Sequence, residues 1–172
     1  MQISDVIGLL HLIERHDITL WIDGGWGIDA LLKRQTRPHG DLDIVVETRT
    51  LPRLIALLSE EGFQRLETPD SRDWNFVMGD IMGRRVDFHV ITLDDRGNGL
   101  YGPVSGGQAY PASALEGKGQ IGNHPVHCIS AAYQVASHDA GYPLRPQDYQ
   151  DMQALCTAFA LPLPDRFLPP QA

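Results

Sequence analysis

Two carboxylates, Asp41 and Asp43, stand two residues apart in the run Gly40-Asp41-Leu42-Asp43-Ile44-Val45-Val46. The stretch 42–46 is short, apolar and rich in β-branched residues, which predicts a central strand. Side chains alternate across a strand, so both Asp side chains leave one face while Leu42 and Ile44 turn into the core. Two carboxylates held on one face repel, and a hard Mg²⁺ ion with oxygen ligands is the expected neutraliser. Asp87 interrupts Val86-Asp87-Phe88-His89-Val90 in the same way. If that strand lies beside 42–46, three carboxylates converge, which is the ligand set of a two-metal phosphoryl-transfer site. His89 lies two residues beyond Asp87 and so faces the same side. It can assist a base, touch the molecule that accepts the phosphoryl group, or be a hydrogen-bonded structural histidine.

Upstream, Gly24-Gly25 follows the apolar run that ends at Ile22 and precedes Trp26-Gly27-Ile28-Asp29. A Gly-Gly at a strand-to-helix junction presents free backbone N–H groups at a helix N-terminus, a ready anion site. Arg37 and His39 lie in the polar loop between this turn and the carboxylates, where an arginine can grip a phosphate through two N–H groups. Each feature also has a plainer reading. An Asp-x-Asp pair suits an exposed strand edge, Gly-Gly suits a turn, and Arg and His suit a solvated loop. Their order along one short stretch, an anion cradle followed by an acidic metal site, is what a metal-bound nucleoside triphosphate would need.

The elements that must position these groups can be read from periodicity. Val6, Leu9, Leu10 and Ile13 predict an amphipathic helix capped at Ser4 and ending near His16. A strand is expected over 18–22, a short helix over 26–33, and a helix after Thr50, with Pro52 in its first turn and Gly62 closing it. Further strands are expected over 63–67, 74–78 and 86–91. The glycine-rich segment 94–123 reads as loop with at most short strands, and loops of that length in compact domains are usually functional or disordered. Ser130 is expected to cap a helix to about Ala140, and Pro146 to open a last helix through Phe159. Asp148 would sit near the positive end of that helix. His138, Asp139, Tyr142, Arg145 and Asp148 are candidates either to line an acceptor pocket or to cap and solvate helix ends. The tail, with Pro162, Pro164, Pro169 and Pro170, should be irregular. The expected architecture is an α/β (α+β) unit: a mixed sheet flanked by helices, with a core over 1–95 and a loop-rich, helical part over 96–172 packed on it.

Composition narrows the partners. The 172 residues carry 14 Lys plus Arg against 22 Asp plus Glu, a formal net charge of -8, which disfavours nucleic-acid backbones as ligands. Cys128 and Cys156 read as reduced, packed thiols. No apolar run approaches the ~20 residues of a membrane helix, so a cytoplasmic location away from membranes is expected.

The array Gly24-Gly25-Trp26, Asp29, Arg37, His39 and Asp41-Leu42-Asp43 resembles the signature of the nucleotidyltransferase fold superfamily. The fuller stretches 21–29 and 35–43 resemble its antibiotic-modifying branch, the lincosamide nucleotidyltransferases first and the aminoglycoside 2''-O-nucleotidyltransferases next. Val86-Asp87-Phe88-His89 is similar to the strand that bears the third carboxylate, and Val126-His127-Cys128-Ile129-Ser130 to the C-terminal region. The resemblance implies that Gly24 and Gly25 bind phosphate, that Asp41 and Asp43 ligate metal, and that Asp87 ligates metal or acts as base. Arg37 and His39 would contact the triphosphate. The implied reaction moves AMP from ATP, with two Mg²⁺ ions, to a hydroxyl of a small antibiotic. A lincosamide is the expected acceptor and an aminoglycoside the alternative. The aminoglycoside enzymes place further acidic residues after the third carboxylate, whereas here Phe88, His89, Val90 and Ile91 follow it. A homodimer is compatible with the resemblance. A regulatory or antitoxin-type enzyme acting on tRNA or protein, and a non-catalytic binding protein, are the readings from other classes; acidic charge opposes the tRNA substrate, and the three retained carboxylates oppose the loss of catalysis.

Overall fold

The computed structural model describes residues 1–103, 108–140 and 143–168. Two alternating strands set its frame. Strand β2, Leu42–Glu47, and strand β5, Arg85–Leu93, run parallel, with Asp43 opposite Asp87 and Ile44 opposite Phe88. Alternation turns Leu42, Ile44, Val46, Val86, Phe88 and Val90 to one face, where all six join the main core. The opposite face carries Asp43, Asp87 and His89, with Val45 and Ile91 in a second, smaller core beside them.

The other strands are β1 (Leu20–Ile22), β3 (Gln64–Leu66), β4 (Asn75–Gly79), β6 (Gly99–Tyr101), β7 (Gln108–Tyr110), β8 (Gly117–Ile121) and β9 (His124–Cys128). They join one nine-stranded sheet in the order β3-β4-β5-β2-β1-β9-β8, and β6 pairs with both β5 and β7. The sheet is mixed: β2–β5 and β1–β9 are parallel, and the remaining pairs are antiparallel. Among the described residues five α-helices accompany it: α1 (Ile3–Glu14), α2 (Gly24–Leu32), α3 (Leu51–Glu60), α4 (Ala131–Asp139) and α5 (Pro146–Phe159). Each contributes side chains to the main core. There Phe88 is fully buried and stacked on Phe76, with centroids 4.6 Å apart. Truncating such a ring costs roughly 3–5 kcal/mol, which is how the core holds the carboxylate face in register. Among the described residues no helix is long and apolar enough to cross a membrane, and both cysteines are free and buried.

Several boundaries differ from expectation for identifiable reasons. Helix α1 is capped by Gln2 and not Ser4, because the Asp5 carboxylate accepts from the Gln2 backbone N–H at 2.9 Å and starts the helix earlier. Strand β1 begins at Leu20 and not residue 18, since Asp17 takes a left-handed conformation and Ile18 bonds back to Ile13 of α1. Helix α2 begins at Gly24, so both glycines form its first turn instead of preceding it. Asp41 lies just before β2 and is exposed, whereas Asp43 is on the strand. Segment 94–123 holds three short strands and a 3-10 turn, Ala112–Glu116. Helix α5 opens at Pro146 as its fixed φ favours. Tyr142, Pro169 and Pro170 lie outside the described residues.

Candidate active site

The register of β2 against β5 places Asp43 beside Asp87, and the chain leaves β1 directly above them. Asp23 follows β1 and caps α2, its Oδ1 accepting from the Gly24 N–H at 2.8 Å. Gly24 has φ +55, and a Cβ there would stand 2.2 Å from the Asp43 carboxylate. Only glycine lets the first turn of α2 approach the carboxylate that closely. At Gly25 an added Cβ would lie 2.3 Å from His39 Nδ1 and 2.9 Å from an Arg37 Nη. The loop that carries Arg37 and His39 is therefore packed on the Gly-Gly turn, and all four residues line one cavity with Asp41, Asp43 and Asp87.

That cavity holds about 600 Å³. Its electrostatics are lopsided. Asp43 is pushed up to about 7, first by burial and then by Asp41, with Asp23 and Asp87 adding and His89 opposing. Asp87 is raised as well, chiefly by burial, again with His89 in opposition. Asp87 Oδ1 is buried without a hydrogen-bond partner. An orphaned carboxylate oxygen beside a second half-protonated carboxylate is a deficit of positive charge. Oxygen-rich and acidic, the donor set fits a divalent cation. Among the described residues, one ligand atom each of Asp43, Asp87 and His89 lie within 4.8 Å of one another, with Asp41 outside that group.

His39 is more embedded than a loop histidine need be. It is 6% exposed, its Nε2 lies 2.5 Å from Asp29 Oδ2, and its ring packs on Trp26. Asp29 also accepts from the Thr36 N–H and hydroxyl. Arg37 gives Nε and Nη2 to Asp151 at 3.1 and 2.8 Å, tying the loop to α5. Asp148 accepts from the Arg145 backbone N–H at 2.7 Å, so it caps α5 while lining the cavity.

Residues absent from the sequence expectation complete the walls. Tyr101, Tyr110 and Tyr133 line the side nearest His89. Tyr101 stacks on His89 at 5.7 Å, and Tyr110 lies 5.0 Å from Tyr133. Asp23 receives Tyr110 Oη at 3.2 Å and Gln134 Nε2 at 2.9 Å. Asp23 stood within the recognised motif, but Tyr101 and Tyr110 reach the site through pairing of β6 with β5 and of β7 with β6, Tyr133 comes from α4, and their sequence carries no period that signals it.

A model of the aminoglycoside-2''-adenylyltransferase family matches residues 5–155. A lincosamide resistance protein of Staphylococcus haemolyticus is 29% identical over 88% of this chain and 92% of its own. The crystal structure of the lincosamide antibiotic adenylyltransferase LnuA with lincomycin bound superposes with a TM-score of 0.76 at 26% identity, covering 88% of this chain and 94% of that one. The crystal structure of ANT(2'')-Ia in complex with adenylyl-2''-tobramycin shares the fold, with a TM-score of 0.71 at 23% identity over 92% and 89% of the two chains. The mixed sheet is thus shared with known antibiotic adenylyltransferases, and the chain belongs to the aminoglycoside-2''-adenylyltransferase family.

Proposed function

We propose that this protein transfers AMP from ATP to a hydroxyl of a lincosamide antibiotic, and that the transfer depends on Mg²⁺ held by Asp41, Asp43 and Asp87. The observation that carries the reading is the in-register pair Asp43 and Asp87, facing the first turn of α2 with Asp87 Oδ1 unpartnered. When bound, two Mg²⁺ ions would neutralise charge developing on the pyrophosphate and lower the pKa of the acceptor hydroxyl.

The chain's own groups account for the rest. The Gly24 and Gly25 turn, at the positive end of α2, supports the triphosphate. Arg37 adds its charge from the loop packed on Gly25, and His39 fixes that loop from below while its Nδ1 edge lines the same cavity. The acceptor oxygen attacks the α-phosphorus in line, the bond to the bridging oxygen breaks, and pyrophosphate leaves. Asp87 takes the hydroxyl proton, and its raised pKa makes it a better base than an ordinary carboxylate. Most of the acceleration comes from positioning and charge stabilisation. His89 faces the acceptor side, two residues along β5 from Asp87.

Two features favour a lincosamide over an aminoglycoside. The acceptor side is walled by Tyr101, Tyr110, Tyr133 and His89, which suit sugar faces and apolar substituents. The carboxylates that a polycationic sugar would seek there, Asp148 and Asp151, are already engaged by Arg145 and Arg37. The test is incubation with Mg²⁺, each of the four NTPs and a panel of lincosamides and aminoglycosides, following pyrophosphate release and product mass, with Asp41→Asn as control. A lincosamide gaining one AMP, only with the native carboxylate, is the expected result. Adenylylation confined to aminoglycosides overturns the acceptor, and silence across the panel overturns the antibiotic reading.

A further inference from the structure

Building on the metal-dependent reading above, we propose that His89 is itself a metal ligand. With Asp43 and Asp87 it forms a position of two oxygens and one nitrogen that selects Mn²⁺ over Mg²⁺. The three side chains offer ligand atoms mutually within 4.8 Å. All three come from adjacent parallel strands and share one face, so the sheet holds them together without help from a loop.

The hydrogen bonds behind the histidine determine which of its nitrogens is free. Asp23 is a carboxylate that receives the Gly24 N–H and Gln134 Nε2 at Oδ1, and Tyr110 Oη lies 3.2 Å from its Oδ2. An ionised carboxylate only accepts, so the single Tyr110 proton points to Asp23. Tyr110 Oη also lies 3.3 Å from His89 Nδ1. With its own proton committed, the tyrosine oxygen can only accept there, so Nδ1 carries a hydrogen and Nε2 is the nitrogen available to a metal. Stacking on Tyr101, whose hydroxyl donates to Asn75 Oδ1 at 2.8 Å, holds the ring plane. A histidine with one nitrogen tied to an oxygen acceptor and the other left basic is the arrangement that ligating histidines show. Mg²⁺ demands oxygen ligands in near-octahedral order, whereas d-block divalent ions accept imidazole.

The test is an electron-paramagnetic-resonance titration of the full chain with Mn²⁺, with Mg²⁺ as competitor, on the native protein, His89→Asn, Tyr110→Phe and Asp43→Asn. We expect the native protein to prefer Mn²⁺, and His89→Asn to weaken Mn²⁺ binding at least about tenfold while Mg²⁺ stays within about twofold. Tyr110→Phe, which leaves the sheet and the imidazole intact, should weaken Mn²⁺ by about tenfold, as lost outer partners of metal-bound histidines do. Unchanged Mn²⁺ affinity in a folded His89→Asn, or in Tyr110→Phe should His89→Asn not fold, overturns the ligation. If Asp43→Asn then still abolishes binding, the metal-dependent reading stands without it. Native protein that binds neither ion overturns both.

Discussion

Carboxylates meet opposite treatment in two regions of this molecule. Where the loop after α2 meets α5, Asp29, Asp148 and Asp151 are each at most 4% exposed, and each is answered from within the chain. Asp29 has His39 and Thr36, Asp151 has Arg37, and Asp148 has Arg145. On the β2–β5 seam, Asp43 and Asp87 crowd each other and Asp41, with the His89 imidazole beside them. The first arrangement is what a fold needs, since an unpaired charge in the interior costs several kcal/mol. The second stores the same unfavourable energy unrelieved, which persists where binding of an external cation relieves it. Acidic residues here are therefore either structural or functional according to who neutralises them.

The sharpest break in that contrast is Asp43→Asn. It should lower turnover by about 10³-fold or more, since several kcal/mol of charge stabilisation goes with a lost metal ligand. The same substitution should raise the melting temperature of the metal-free protein near neutral pH, because it removes repulsion from Asp41, Asp23 and Asp87. Steady-state kinetics and calorimetry in chelator check both signs. A variant that loses activity and stability together would place Asp43 in the structural class.

Asp29→Asn is the opposite case. It weakens the buried acceptor that serves both His39 and Thr36 and should cost about 3 kcal/mol of stability in urea titrations. Activity should fall less than for Asp43→Asn, and only through disorder in the loop that supports Gly25. A neutral effect on the urea midpoint would show that the Asp29–His39 pair does not hold that loop.

This division explains what could be read without coordinates. Period-two alternation placed Asp43 and Asp87 on one face and Ile44 and Phe88 on the other, and the pairing of β2 with β5 agrees with it residue by residue. The glycines of the α2 turn were legible because a side chain at Gly24 would meet the Asp43 carboxylate and one at Gly25 would meet His39. The answering charges were not legible. Asp151 lies 114 residues from Arg37, and Tyr110 lies 87 from Asp23, so no local pattern links them. Tyr101 and Tyr110 sit in a segment whose glycines read as loop, and only the edge of β5 organises it into strands. The burial of His39 was not legible because nothing near it in sequence announces that Asp29, ten residues earlier, turns back to meet it.

Titration sharpens the contrast further. Asp43 has its ordinary value of 3.8 when unfolded and about 7 in the metal-free fold, so the shift is upward. The folded state therefore holds this proton longer. Its stabilising contribution is complete below about pH 4 and is lost as pH rises through about 7. In chelator, the melting temperature of the native protein should fall relative to Asp43→Asn across that window. Mg²⁺ competes with the same proton, so the thermal shift it induces should grow over the same interval. Parallel curves for the two proteins would remove Asp43 from the unrelieved class.

The smallest expected effect lies at Arg37, the residue that belongs to both regions. Its Nε and Nη2 serve Asp151, and the same Nη2 packs against Gly25, where the triphosphate is proposed to lie. Lysine keeps the charge but lacks the planar fork, so Arg37→Lys cannot hold Asp151 through two N–H groups and still reach the turn. With the side chain 26% exposed, solvent screens what remains of the ion pair, and the stability cost should be about 1 kcal/mol or less. The Michaelis constant for the nucleotide should rise about fivefold to tenfold with turnover nearly unchanged, the mark of lost uniform binding. If stability falls and the Michaelis constant does not move, Arg37 serves only to neutralise Asp151. The phosphate contact would then have to come from the α2 turn and His39 alone.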